Sequence, residues 1–389
     1  MKNLKFSLII LLVLAPMWLV AQFNTSFGTN AGNDGERNSS FGFNAGNNVT
    51  GSNNVFIGSE AGNRMTNGSF NTFVGADAGR FSTSGFNNTF IGRSAGLSTT
   101  GNENTFIGQG AGTLNTIGNF NTFLGSSTGV NNTTGSSNTF VGRISGARNT
   151  TGTGNTFVGS SSGSDNTTGN SNLFLGVFAG FKNTTGGLNT FLGRSAGQDN
   201  ISGANNVYVG FAAGSRNAAG EGNVFIGYQA GFNEQGSNRL YIANSSTSTP
   251  LIYGNFAEGG VGINTTNLSD GATQYALSVN GKIRANDDII TYSGWADYVF
   301  EDDYELKTLE EVESFIQKNK HLPDVPTAKE IEERGNNLGA TDEMLLRKVE
   351  ELTLYMIEQH KTNKAQAAHI AKQDKRIEQL EKELTKLKK

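Results

Sequence analysis

From Asn54 onward an aromatic residue recurs with a period of 17 positions, each followed by Ile, Val or Leu and then Gly. The file runs from Phe56 and Phe73 to Phe191, Tyr208 and Phe225, with one step of 16 between Phe90 and Phe106. Phe27 and Phe41 head two shorter copies at the N-terminal end. Self-similarity this regular is the signature of a solenoid, in which each repeat is one coil stacked on the next. A coil of 17 residues is too short for a helical hairpin and too rich in Gly for any helix. It predicts two short strands and two turns. Residues 22–237 hold about thirteen such coils.

The residue types fit those corners. Gly68, Gly85, Gly135 and Gly152 follow runs such as Asn132-Thr133-Thr134, where Gly supplies positive φ and Asn tolerates it while bonding its own backbone. A second set, Gly62, Gly79, Gly96 and Gly112, marks another corner. Asn repeated at one corner can stack as a ladder of amide hydrogen bonds between coils.

Side chains alternate along a strand, so Phe73 and Val74 are predicted to point to opposite faces. One face fills the coil. The other forms an aliphatic stripe, Ile57 through Ile226, longer than a soluble monomer usually exposes. Packing of that stripe against copies of itself in an oligomer is the favoured reading. The alternative is a bend that turns the aliphatic residue inward as well.

The phrase Asn71-Thr72-Phe73-Val74-Gly75 with Ala78-Gly79 following resembles the head repeats of trimeric autotransporter adhesins of the YadA type. The resemblance covers residues 23–235. It implies a left-handed parallel β-roll in a homotrimer, three chains about one axis. The period is longer than that family's usual repeat, and its C-terminal anchor of four barrel strands is not expected here, nor is self-export by that route.

Residues 238–294 break the period and predict a β-rich cap and neck. Asn238–Ile242 reads as a last coil or cap, followed by strands at Pro250–Tyr253, Val261–Ile263 and Tyr275–Val279. Asn280-Gly281 then signals a hairpin into Lys282–Arg284. The phrase Ala276–Gly281 is similar to small β segments ahead of the chaperone domain of phage tail fibres, and to segments of Bacteroidetes surface proteins with fibre-like heads.

Residues 295–340 predict helices at Leu309–Lys318 and at Ala328–Arg334, ending near Gly335, with a Pro-bounded loop Leu322–Pro326 between them. Asp302–Lys307 resembles the Ser-Asp-x-Arg-Leu-Lys opening of the endosialidase-type intramolecular chaperone. Asp302 stands where that family has its serine, which implies trimer templating without self-cleavage. In residues 341–389 a seam alternates steps of four and three: Leu345, Val349, Leu352, Met356, Gln359, Asn363, Gln366, Ile370, Gln373, Ile377, Leu380, Leu384 and Leu387. That is a coiled coil with apolar ends and a polar centre, compatible with a dimer or trimer. The predicted fold class is therefore an all-β solenoid head, a small α+β neck and a C-terminal α-helical coiled coil.

Composition narrows the function. Gly is 52 of 389 residues and Phe 26; regular aromatics of this kind argue against a disordered polar tract. The net charge of −4 offers no basic field for nucleic acid. Lys2 and Lys5, the apolar Ser7–Val20 and the small-residue site Leu19-Val20-Ala21 read as a signal peptide over residues 1–21, cleaved between Ala21 and Gln22. The apolar run holds Pro16 and is short for a membrane span. Cys is absent, so neither disulfides nor a cysteine-linked lipid is expected.

No catalytic, cofactor or metal site is expected. His321, His360 and His369 fall in a loop and the coiled coil, without metal-ligand spacing. Glu60, Asp77 and Asp165 are too sporadic for a calcium repeat, and no phosphate loop occurs. Ser269-Asp270 reads as turn chemistry. The expectation is a secreted or cell-surface fibre or adhesin-like protein that binds a surface, glycan or protein. A phage-derived tail-fibre-like protein, or an ice- or crystal-binding solenoid, are the alternatives.

Overall fold

The computed structural model describes residues 24–32, 35–286, 289, 291 and 295–387. The leader and its cleavage point lie outside the described residues. Two units divide between Ile283 and Arg284.

The first unit is a β-solenoid. Thirteen three-residue strands, β1 (Thr25–Phe27) through β13 (Val224–Ile226), pair in parallel coil upon coil. The parallel stacking runs one strand beyond residue 237: β14 (Arg239–Ile242) places Tyr241 beside Phe225. Each coil carries one strand rather than the expected two. The rest of the coil turns left-handed too often to stay extended, as at Asp77, Gly79 and Asn87 with φ of 58°, 58° and 60°. These turns still donate hydrogen bonds from coil to coil, as Gly79 N does to Ala95 O at 2.9 Å.

The aromatic file is the core. Phe56 through Phe225 are completely buried, each worth about 2–3 kcal/mol of transfer free energy. From Phe73 to Phe225 the rings stack at 4.5–5.0 Å, within 12° of parallel. Glycine is obligatory around this file. Gly79 lies against the Phe73 ring, where a Cβ would come within 2.3 Å. Gly75, which closes the strand at φ 134°, would put a Cβ 2.6 Å from the Gly92 carbonyl.

Phe27 and Phe41 do not belong to the core file. Register pairs Ser40 with Phe56 and Phe41 with Ile57, so Ser26 and Ser40 hold the core positions in β1 and β2 (Ser39–Phe41). Phe27 and Phe41 point outward, 78% and 40% exposed. The phrase is offset by one residue in these coils, and one residue reverses the face.

Asn ladders bind the coils. Each phrase Asn from Asn38 to Asn223 donates its backbone N–H to Oδ1 of the Asn one coil back, as Asn138 does to Asn121 at 3.0 Å. At another corner Asn132 Nδ2 donates to Asn115 Oδ1 at 2.5 Å, and the file continues to Asn200. These Asn are buried, where an unpaired amide would cost about 1–3 kcal/mol.

The C-terminal end of the stack closes edge-on. Tyr241 meets Phe225 at 79°, and Tyr253 meets Tyr241 at 86°. Strands β15 (Ile252–Asn255) and β16 (Gly260–Ile263) continue antiparallel, and β17 (Leu277–Val279) pairs in parallel with β16. The expected Asn280-Gly281 hairpin does not form. Asn280 instead donates its N–H to Ile263 O at 3.0 Å, ending the β16–β17 ladder, and Lys282–Arg284 are not a strand.

The second unit is helical: α1 (Leu309–Asn319), α2 (Ala328–Arg334) and α3 (Leu338–Leu387). Capping boxes start the first two, Thr308 with Glu311 and Thr327 with Glu330, each satisfying two backbone donors the helix leaves open. Helix α3 is 50 residues long.

Candidate functional site

Two surfaces stand out. The first is the outward face of the parallel sheet. In nearly every strand the middle residue is buried and its neighbours are half-buried or exposed, as in Thr89-Phe90-Ile91. The aliphatic residue therefore does not turn inward, which removes the alternative raised by the sequence. Ile57, Ile91, Leu124 and Ile226 are 38–44% exposed. Two positions earlier on the same face runs a Thr file, unbroken from Thr72 to Thr156 and replaced by Val55, Leu173, Val207 and Val224. Neighbouring coils repeat these two files at the inter-strand spacing of about 4.8 Å.

One file of charges, from Arg148 to Arg216, lies on a separate corner and alternates in sign. Arg148 pairs with Asp165 at 3.2 Å and Lys182 with Asp199 at 2.9 Å. These pairs are partly exposed, so solvent screens them. The Asp199 carboxylate, bonding and attracting Lys182, raises the ammonium pKa above its ordinary value.

The second surface belongs to the helical unit. The apolar seam residues of α3 are open: Leu345, Val349, Ile370, Ile377 and Leu384 are 53–59% exposed. Its first turns also wall a cavity of 440 Å³, with Leu345, Val349 and Leu352 on one side and Leu309, Val312 and Leu322 on another. Long-range bonds hold the segment before α1 to α3. Tyr298 donates to Glu343 at 2.9 Å, Tyr304 to Glu351 at 2.6 Å, and the Tyr355 hydroxyl to the Lys307 carbonyl. Burial, then the Glu351 bond, pushes the Tyr304 phenol well above its ordinary pKa. Burial pulls the Asp324 carboxyl upward, but Lys307 and Lys348 overcome it and hold the pKa below the ordinary value. Nothing in a single sequence marks Tyr–Glu pairs 45–47 residues apart.

The chemistry-bearing residues are not brought together. Asp302 sits exposed in a turn before Tyr304. His321 contacts the Leu322 carbonyl and the Phe315 ring edge; His360 and His369 lie exposed on α3. Asp270 accepts from Tyr275 Oη at 2.6 Å and from the Thr273 and Ala272 amides. Those bonds, the Tyr275 hydroxyl first, lower its pKa to about 2. That is turn chemistry. Among the described residues no cluster of His, Cys, Asp or Glu is placed to hold a metal, and no helix is long and apolar enough to cross a membrane.

The fold defines a β-solenoid protein with a small C-terminal helical region. No protein family, curated protein or solved structure matches the chain.

Proposed function

We propose that the chain is a subunit of a secreted or cell-surface fibre of the adhesin type, with the solenoid as its display head. The observation that carries the reading is the outward Thr and aliphatic face, repeated in register along the stack. Packed against copies of itself, that face joins the heads, and the coil corners repeated along the outside supply many weak contacts that gain strength by number. The resemblance of the repeats to YadA-type heads supports a homotrimer in which the aliphatic stripes pack together. The resemblance of Asp302–Lys307 to the chaperone opening assigns the tail to setting chain number, not to cleavage.

Sedimentation of residues 22–389, with binding of the same protein to cells, glycan beads and matrix protein, tests this. A trimer that binds one of these surfaces is expected. The combined variant Val141→Asp, Val158→Asp and Leu175→Asp should separate the heads and abolish binding. A chain that stays monomeric and binds none of them overturns the proposal.

One observation favours a second reading. The six consecutive Thr from Thr72 to Thr156 form a regular hydroxyl file beside aliphatic groups, one of the two files in the Thr-x-Thr ranks of an ice-binding face. Thermal hysteresis of the purified chain would establish it, and its absence would exclude ice.

A further inference from the structure

The α3 seam is an unpartnered helix face, and the charges beside it choose its partner. We propose that this partner is α3 of a second copy of the chain, parallel and in register. The inference rests on the fibre reading in requiring copies to associate, and it goes further by fixing their direction.

In a parallel, in-register coiled coil, the residue before each a position faces the residue five places further on in the partner helix. With Ile377 as an a position, Arg376 faces Glu381 of the other copy. His369, before Ile370, faces Asp374. Arg376 and Glu381 form no ion pair within the chain among the described residues. Asn363 meets Asn363, a polar core layer that specifies register.

The seam's apolar ends and polar centre would also allow an antiparallel pair. That arrangement sets Arg376 against Tyr355, Glu381 against Leu346 and Asn363 against Gln366. It sets Glu383 against Lys348, but Lys348 already pairs with Glu351 at 2.9 Å and Asp324 at 3.5 Å. Complementary charge therefore selects the parallel form. The chain segments that precede α3 then all enter the bundle at one end.

The chain has no Cys, so single cysteines report direction cleanly. In the full chain carrying Leu380→Cys, mild oxidation is expected to link copies through position 380. Mixed Val349→Cys and Leu380→Cys chains should not cross-link to each other; if they do, the helices are antiparallel and the proposal fails. Arg376→Glu alone, or Glu381→Arg alone, should weaken association about tenfold, as repulsion replaces attraction at several exposed pairs. Combining them should restore it. Association unchanged by either single reversal overturns the assigned register, and a monomer at the highest soluble concentration overturns the inference entirely. A parallel oligomer that binds no surface would instead overturn the adhesive reading alone.

Discussion

The Phe56 ring meets Phe73 edge-on, at 65° and 5.5 Å, whereas every later pair down to Phe225 stacks nearly flat. Below Phe56 the file holds Ser40 instead of a ring. With no flat neighbour on that side, Phe56 tilts into the space and presents its edge to Phe73, a geometry ring quadrupoles favour. Tyr241 does the same at the other end. The stack is thus bounded by turned rings at both ends, and its interior depends on uninterrupted contact.

Removing an interior ring should therefore open the solenoid locally. Phe140 stacks on Phe123 at 4.9 Å and on Phe157 at 4.8 Å. Phe140→Ala is expected to cost about 3–5 kcal/mol. Hydrogen exchange should show faster amide opening in the coils on either side and unchanged protection near Phe225.

The Asn ladder should be intolerant of charge. Asn138 is fully buried; its Nδ2 donates to Gly152 O at 2.8 Å, and its Oδ1 accepts the Asn155 N–H at 3.0 Å. Asn138→Asp keeps the acceptor but loses the donor and buries a carboxylate. The expected loss is about 3 kcal/mol or more at neutral pH. It should shrink as the pH falls and the carboxyl protonates, which thermal melts at several pH values would show.

Tyr208 replaces Phe in the core file, and its buried hydroxyl makes no hydrogen bond. Burial pushes the phenol pKa far up, only partly offset by the nearby Asn223 side chain. Tyr208→Phe removes the orphaned group without a cavity, so stability should rise by about 1 kcal/mol. A lowered melting temperature would contradict this.

Alkali should loosen the C-terminal end of the stack. Burial, then the bond to Glu234, raises the Tyr241 pKa above that of a free phenol. The folded state therefore favours the neutral phenol. Its contribution is fully present below about pH 10, the unfolded value, and is lost as the pH climbs toward the folded one. Melting temperature should fall above about pH 10, with tyrosinate absorbance rising at unfolding, and Tyr241→Phe should soften the decline.

The period, the corner glycines and the opposed faces of Phe73 and Val74 were legible because each repeats in every coil. So was α2, where Thr327 and Glu330 mark the start and Gly335 the end. The one-residue offset at Ser40 was not legible, since Phe41 satisfies the phrase equally well and only pairing register shows which face it takes. Asn280-Gly281 misled for a related reason. A hairpin needs a second strand to receive the turn, and Asn280 instead found the end of β16. Of the candidate surfaces, the sheet face and the α3 seam could be read from side-chain alternation and heptads. The cavity beside Leu345 could not, because Leu309 and Leu322 reach it only through tertiary folding.

The Asn rungs all point one way: from Asn38 to Arg239 each backbone N–H donates to the side chain of the preceding coil. A finished coil thus offers its Asn acceptor at its C-terminal rim. A chain emerging N-terminus first can lay down one coil after another, each settling on a template already complete. Growth of this kind is vectorial.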